Sequence, residues 1–400
     1  MTDKSTEMGR PTDGTNAADG ANTIHMAGPW ITEHEVAVVT DAMRNGWYEH
    51  AYDYCELFQR EFAEYHGRKY AIMTPSCTTS LHLLLTALGV SAGDEVIVPE
   101  CTWIATAAPV KYLDATPVFC DIEPHNWCLD PKSVERAITP RTKAILVVDL
   151  FGNMPRMDEL VKISERHGIP LVEDAAEAIG SVYHGTRAGK FGVGSVFSFH
   201  RTKTIATGEG GMLLVDDDNL YEQCMFLRDH GRRPNSPTYQ NEAVTYKYMP
   251  FNVQAALGYA QFQRIEELVD RKRWMFHKYQ EHLADVEDIQ FNAEPDGVRN
   301  GVWITTVVFG ASHQLNKQQA MAALERLGLP SRPFFYPLSS LPAFAPAEET
   351  YRKRNPTAYD ISARGINLPG ALCVTEEQII AVCGGIKSVL SDAHSHKEAA

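Results

Sequence analysis

No apolar run in the sequence approaches the roughly 20 residues that a helix needs to span a bilayer, so a membrane-spanning protein is not expected. Close cysteine pairs are also lacking. The eight cysteines (Cys55, Cys77, Cys101, Cys120, Cys128, Cys224, Cys373 and Cys383) stand singly, which excludes a Cys-x-x-Cys redox motif or a cysteine zinc site. No metal is expected, and reduced thiols fit a cytoplasmic protein. Nor is there a surplus of positive charge. Asp and Glu number 51 against 37 Lys and Arg, a net charge of -14 that argues against broad nucleic-acid binding but leaves room for a local basic pocket holding a phosphorylated ligand. Residues 1–24, rich in Thr, Gly, Asp and Asn, lack the basic start and apolar stretch of a secretory signal and read as a disordered tail, as do residues 391–400. There is no internal repeat.

Rhythm is what the sequence does contain. Between Tyr70 and Val215 short β-rich apolar runs (70–73, 95–98, 116–119, 144–148, 169–172, 196–199 and 212–215) alternate with helical patterns. That alternation predicts an α/β fold: a mainly parallel sheet covered by helices. Helices are predicted over 78–88 and 156–167, the second stopped by Gly168. After Val215 come a charged helix over 218–230, a polar stretch near 234–242 and one long helical pattern from Phe251 to about His282. A strand over 302–309, a helix over 317–327 and a last helix behind Thr375-Glu-Glu-Gln378 predict a smaller α+β C-terminal domain. The expected division is a large domain over 25–262 and a small one over 263–390.

Two residues carry the chemistry. Lys203 follows the apolar run Val196-Phe-Ser-Phe and precedes the turn Gly208-Glu-Gly-Gly211, while Asp174 ends the run Leu171-Val-Glu-Asp174. An amine that condenses with an aldehyde and a carboxylate that keeps a pyridine nitrogen protonated are what pyridoxal 5'-phosphate (PLP) needs, because the ring then accepts carbanion electrons. Alone, either residue is more often structural; together they point to PLP. In Thr74-Pro-Ser-Cys-Thr-Thr-Ser80, Thr78 and Thr79 stand at a helix start whose free N–H groups suit a phosphate, with simple helix capping as the competing role. Trp103 follows the strand 95–98 at the edge where α/β folds place ligands; a core tryptophan is the alternative.

The run Glu173-Asp-Ala-Ala-Glu-Ala-Ile-Gly180, with Tyr183-His-Gly185, Gly192-Val-Gly194, Phe197-Ser-Phe-His200, Lys203 and Gly208-Glu-Gly-Gly211, resembles the DegT/DnrJ/EryC1/StrS sugar aminotransferases. These are fold-type I PLP enzymes, and the resemblance extends from about Met26 to Leu390. It implies that Lys203 is the catalytic lysine and that Asp174 binds the pyridine nitrogen. It implies further that Glu177 lies near the ring hydroxyl where many members have Gln, that Trp103 stacks on the ring and that Ser198 helps hold the phosphate. Cys77 departs from the family's usual glycine. Tyr246-Lys-Tyr-Met249 resembles the stretch through which one subunit reaches its partner's cofactor, with Lys247 at the family's Asn position and Met249 at its Arg position. That implies a homodimer with shared sites; a solvated surface lysine is the alternative. Trp30, Trp47, His200, Arg228, His230 and the segment Arg332-Pro-Phe-Phe-Tyr336-Pro337 stand at positions that border the sugar-nucleotide pocket in relatives.

The expected activity is transfer of an amino group from L-glutamate to a keto-deoxysugar nucleotide. The Phe-Ser-Phe-His, Thr-Gly-Glu-Gly-Gly and Arg-Pro-Phe-Phe-Tyr-Pro stretches are most similar to the perosamine-synthase subgroup, which implies GDP-4-keto-6-deoxymannose. Another 3- or 4-keto nucleotide sugar or a keto-cyclitol is the nearest alternative. Dehydratase relatives carry histidine in place of the lysine, so Lys203 argues against that chemistry. A non-catalytic regulatory or binding protein on the same scaffold is the reading from a different class, and the presence of both Lys203 and Asp174 argues against it.

Overall fold

The computed structural model describes residues 23–233, 237, 239–344 and 348–398. The first 22 residues of the expected N-terminal tail lie outside the described part. Seven strands form the main sheet: β1 (Tyr70–Thr74), β2 (Glu95–Pro99), β3 (Thr116–Cys120), β4 (Thr142–Val148), β5 (Leu171–Asp174), β6 (Gly194–Ser198) and β7 (Gly211–Val215). Their spatial order is β1-β7-β6-β5-β4-β2-β3. The five strands from β6 to β3 run parallel, whereas β7 is antiparallel to both its neighbours, β6 and β1.

Side chains on a strand alternate between faces, and here the alternation divides the apolar runs between two cores. Met73, Ile97, Ile145, Val147, Leu171, Phe197, Met212 and Leu214 belong to one core. Their neighbours Ile72, Val96, Val98, Leu146, Val172, Val196, Leu213 and Val215 belong to the other. Both faces are therefore covered, which is why the strands are apolar at nearly every position. Helix α1 (Glu33–Asn45), opened by a Thr32/Glu35 capping box, and helix α2 (Asp53–His66) pack against α4 (Asn252–Phe262). Helix α3 (Cys77–Ala87) enters the second core through Leu81 and Leu83 to Leu85.

Beyond the main sheet, four short antiparallel strands pair in the order Ile289–Phe291, Thr306–Phe309, Gly365–Asn367, Arg332–Pro333. Three local readings of the sequence change. The single helix expected over 251–282 is two, α4 and α5 (Ile265–His282), separated where the Gln261 side chain bonds both the N–H and the C=O of Ala206. The strand expected from Val302 starts at Thr306, because Val302 takes a left-handed φ of 52° and turns the chain. The last helix, Glu376–Glu398, continues through residues expected to form a loose tail from 391, no glycine or proline following Leu390 to stop it. No helix among the described residues is long and apolar enough to cross a membrane.

Candidate active site

The parallel strands end on one edge of the sheet, and the loops that leave this edge carry the chemistry. Asp174 is the last residue of β5 and is buried. One carboxylate oxygen accepts from Thr106 Oγ1 at 2.8 Å, the other from the Ala176 N–H at 3.2 Å. Burial is the main cause that pushes its pKa up to about 6; the two hydrogen bonds and the Lys203 charge oppose the rise. Thr106 and Trp103 belong to the same short turn after β2, the latter as its exposed first residue.

Lys203 sits on the loop between β6 and β7. Because β7 returns antiparallel, this loop is a hairpin, closed by Phe199 N–H to Gly210 C=O and Arg201 N–H to Gly208 C=O bonds of 2.9 and 2.8 Å. Gly208 has φ +83°, a conformation that costs glycine least. The Lys203 N–H donates to the His200 carbonyl at 2.8 Å. The amine itself meets Glu177 Oε1 at 2.8 Å and lies 3.9 Å from the centre of the Trp303 ring. Glu177 is buried and Lys203 half-buried, and the second Glu177 oxygen accepts from the Phe151 N–H at 2.9 Å. Glu177 is therefore held at both oxygens. Ala175, Glu177, Ser198, Lys203 and Trp303 line one cavity.

The first turn of α3 lies against Asp174, with Cys77 Sγ 3.9 Å from Asp174 Oδ1. Ser76 caps the helix, its hydroxyl accepting from Thr79 N–H, and the Thr79 hydroxyl is spent on the Ser76 carbonyl at 2.7 Å. Thr79 thus serves as a cap, while the first amides of the helix, those of Cys77 and Thr78, have no carbonyl within the helix to bond. The close backbone approach for which glycine is needed occurs at Gly211 rather than at position 77: a Cβ on Gly211 would lie 2.5 Å from the Cys77 nitrogen and the Ser76 carbonyl carbon. Ser198, hydrogen-bonded in register with Gly211 across β6 and β7, ends beside the same turn. A buried carboxylate with no cation bonded to it among the described residues, a half-buried amine and free helix N-terminal amides are the donor set that PLP requires at its nitrogen, aldehyde and phosphate ends.

Comparison with known proteins agrees. Residues 29–387 match the family model described as the DegT/DnrJ/EryC1/StrS aminotransferase family. The chain belongs to this family. It is 34% identical to a GDP-perosamine synthase of Escherichia coli O157:H7, over 91% of this chain and 98% of that one. It is 36% identical to a GDP-perosamine synthase of Caulobacter vibrioides, over 92% and 98%. A putative sugar aminotransferase of Streptococcus pneumoniae, solved in its PLP form, superposes with a TM-score of 0.84 at 26% identity, over 92% of this chain and 99% of that one. The protein is a PLP-dependent aminotransferase.

Other residues singled out in the sequence lie further from the Lys203 amine of this aminotransferase. His200 is half-buried on the hairpin, its Nδ1 2.9 Å from Thr202 Oγ1. Tyr336 packs over the buried Lys317 ammonium at 3.7 Å, next to Phe335, whose ring centre is 6.0 Å from that of Trp103. Trp30 lies under the Arg264 guanidinium. Arg228 is turned inward, donating to the Met73 carbonyl at 3.1 Å. His230 is exposed, and Lys247 pairs with Asp229 of its own chain at 2.6 Å. Among the described residues no hydrogen bond or ring contact joins Trp30, Arg228, His230 or Lys247 to Lys203, Asp174 or Glu177.

Several residues of the site carry no signal in the sequence. Thr106 and Trp303 touch Asp174 and Lys203, yet neither stands in a motif. Asp149, just past the end of β4, gives its N–H to the Asp174 carbonyl at 3.1 Å, and its buried carboxyl faces that of Glu173. Burial first, and then the neighbouring Glu173 charge, push its pKa well above the usual carboxylate range.

Proposed function

We propose that the enzyme moves an amino group from L-glutamate to the keto carbon of a nucleotide-activated deoxysugar, with GDP-4-keto-6-deoxymannose as the preferred acceptor. The observation that carries this reading is the grouping of the Lys203 amine, held by Glu177, with the buried Asp174, whose Oδ1 lies 3.9 Å from Cys77 Sγ in the first turn of α3. Likeness to GDP-perosamine synthases along nine-tenths of the chain supports the acceptor. When bound, PLP supplies an electron sink for the carbanion left when the amino-bearing carbon loses its proton.

The chain's own groups supply the rest. Asp174, its charge disfavoured by burial, gains most from a cationic nitrogen placed against it. The Cys77 and Thr78 amides, at the positive end of α3, hold the phosphate, with the Ser198 hydroxyl beside them. Trp103 covers one face of the ring. Lys203 Nζ accepts the α-proton of glutamate and, in the second half-reaction, returns a proton to the sugar carbon. Glu177 keeps the amine in place between the two transfers. 2-Oxoglutarate leaves after the first half-reaction and the amino sugar after the second.

The reading includes a cytoplasmic homodimer. Trp47, Tyr48 and Phe251 are exposed on one side, where the Asn252 side chain ties α4 to the Tyr54 N–H and the His50 carbonyl. A surface of this kind suits a second copy, which would bring Lys247 toward the neighbouring site. Sedimentation at a single-chain mass would oppose it. The direct test of the function is a panel of keto-sugar nucleotides with glutamate as donor. Turnover with the GDP-linked 4-keto sugar, together with borohydride trapping of PLP on Lys203 that Lys203→Ala abolishes, is the expected result. No turnover with any 3- or 4-keto nucleotide sugar overturns the acceptor class, and failure to take up PLP overturns the chemistry.

A further inference from the structure

Lys272 stands on α5 within the charged run Asp270-Arg-Lys-Arg273, a sequence that reads as a solvated helix face, yet it is 2% exposed. No carboxylate pairs with it among the described residues. Its ammonium donates instead to two backbone carbonyls, that of Trp303 at 3.0 Å and that of Gly370. Burial pulls its pKa down to about 7, a measure of how poorly the interior compensates the charge. An ammonium placed this way, without a counter-ion, points to the groups it holds.

The group that matters is Trp303. Its carbonyl is anchored by Lys272, and its indole N–H is anchored by the Thr202 carbonyl at 2.7 Å. The chain reaches it through the left-handed Val302, whose N–H is fixed by Asn300 Oδ1 at 2.7 Å. Held at backbone and ring, the indole presents its face to Lys203 Nζ at 3.9 Å, on an amine that Glu177 already holds at 2.8 Å. A ring face attracts an ammonium, so ring and carboxylate together define one resting place for it.

We propose that Lys272 is a positioning residue that sets the Trp303 indole against the Lys203 amine, and that Glu177 and this ring form the resting site of that amine whenever it is not bonded to the cofactor. The proposal rests on Lys203 being the working amine. It leaves Lys272 out of contact with substrate and cofactor.

Acetylation of the cofactor-free protein by trace acetic anhydride, read peptide by peptide in a mass spectrometer, tests it. The exposed Lys132 serves as the reference and the buried Lys317 as the control for general loosening. Lys272→Met is expected to raise the relative labelling rate of Lys203 about tenfold, and Trp303→Ala to raise it as much, with Lys317 unchanged. Lys272→Arg, which can still donate to both carbonyls, is expected to stay near wild type. An unchanged Lys203 rate in folded Lys272→Met, or a parallel rise at Lys317, overturns the proposal. Should Lys272→Met fail to fold, Trp303→Ala decides, and an unchanged Lys203 rate there overturns it equally. Prior addition of PLP separates the two readings, since loss of labelling at Lys203 marks it as the attachment point. Absence of protection sinks that assignment while leaving the comparison among variants intact.

Discussion

Asp174→Asn in the cofactor-free protein puts the electrostatics of the site to a quantitative test. Asp174 is buried, and its pKa rises from the usual 3.8 to about 6, chiefly through burial. A folded-state pKa above the unfolded one means that the folded chain binds the proton more tightly, so stability falls as pH climbs from about 4 to about 6. The rise is about two pK units at about 1.4 kcal/mol each, so wild type carries a deficit of about 3 kcal/mol from this group above pH 7. At pH 5 roughly half of it is already present. Asparagine cannot ionise. The stability difference between variant and wild type should therefore shift by about 1 kcal/mol in the variant's favour between pH 5 and pH 8. Any change in the Thr106 bond enters at both pH values and cancels, as does the titration of Asp149 and Glu173 to first order. Urea unfolding of both proteins at the two pH values, followed by far-UV circular dichroism, measures the shift. A constant or narrowing difference would refute the claim that the Asp174 charge is disfavoured in the empty fold. The same variant must retain PLP less well at pH 8, since it no longer offers a carboxylate to the nitrogen.

Glu177→Gln leaves the Lys203 ammonium facing a neutral amide while keeping an acceptor for Phe151. It should cost on the order of 3 kcal/mol of stability at pH 7 by urea unfolding, and steady-state turnover should fall more than KM changes. Gly211→Ala drives a methyl group into the backbone at Ser76 and Cys77. Overpacking of that kind costs about 1–3 kcal/mol, so PLP affinity by absorbance titration should weaken about tenfold with secondary structure retained. Trp103→Ala should raise the dissociation constant for PLP by a similar factor, about 1 kcal/mol of lost stacking, without displacing the Lys203 attachment.

The seven strands of the main sheet are readable because burial on both faces demands unbroken apolar runs, and the positions of Asp174 and Lys203 follow from where those runs stop. What sequence reasoning misses depends on contacts between distant segments. The break between α4 and α5 contains neither glycine nor proline and falls just past Gln261, whose side chain reaches across to Ala206. Trp303 lies in an apolar stretch that reads as a strand, and only the Val302 turn, fixed by Asn300, brings its ring to Lys203. Asn300-Gly301 is a turn signal that could have raised the question. Lys272 carries no signal at all, since a lysine among Asp and Arg on a helix reads as solvated. Thr79 shows the reverse case, a hydroxyl that suits a phosphate by position but is committed to Ser76.

The antiparallel return of β7 has a consequence for how such a protein changes over time. Trp103, Thr106, Asp149 and Glu177 all come from connections that leave parallel strands, and connections of this kind accept insertions and exchanges. Lys203 alone rides on a ribbon whose two rails are interior strands of the sheet, so its place is tied to the pairing of β6 with β7. Recognition can drift by editing the connections, while the reactive amine is inherited with the topology itself.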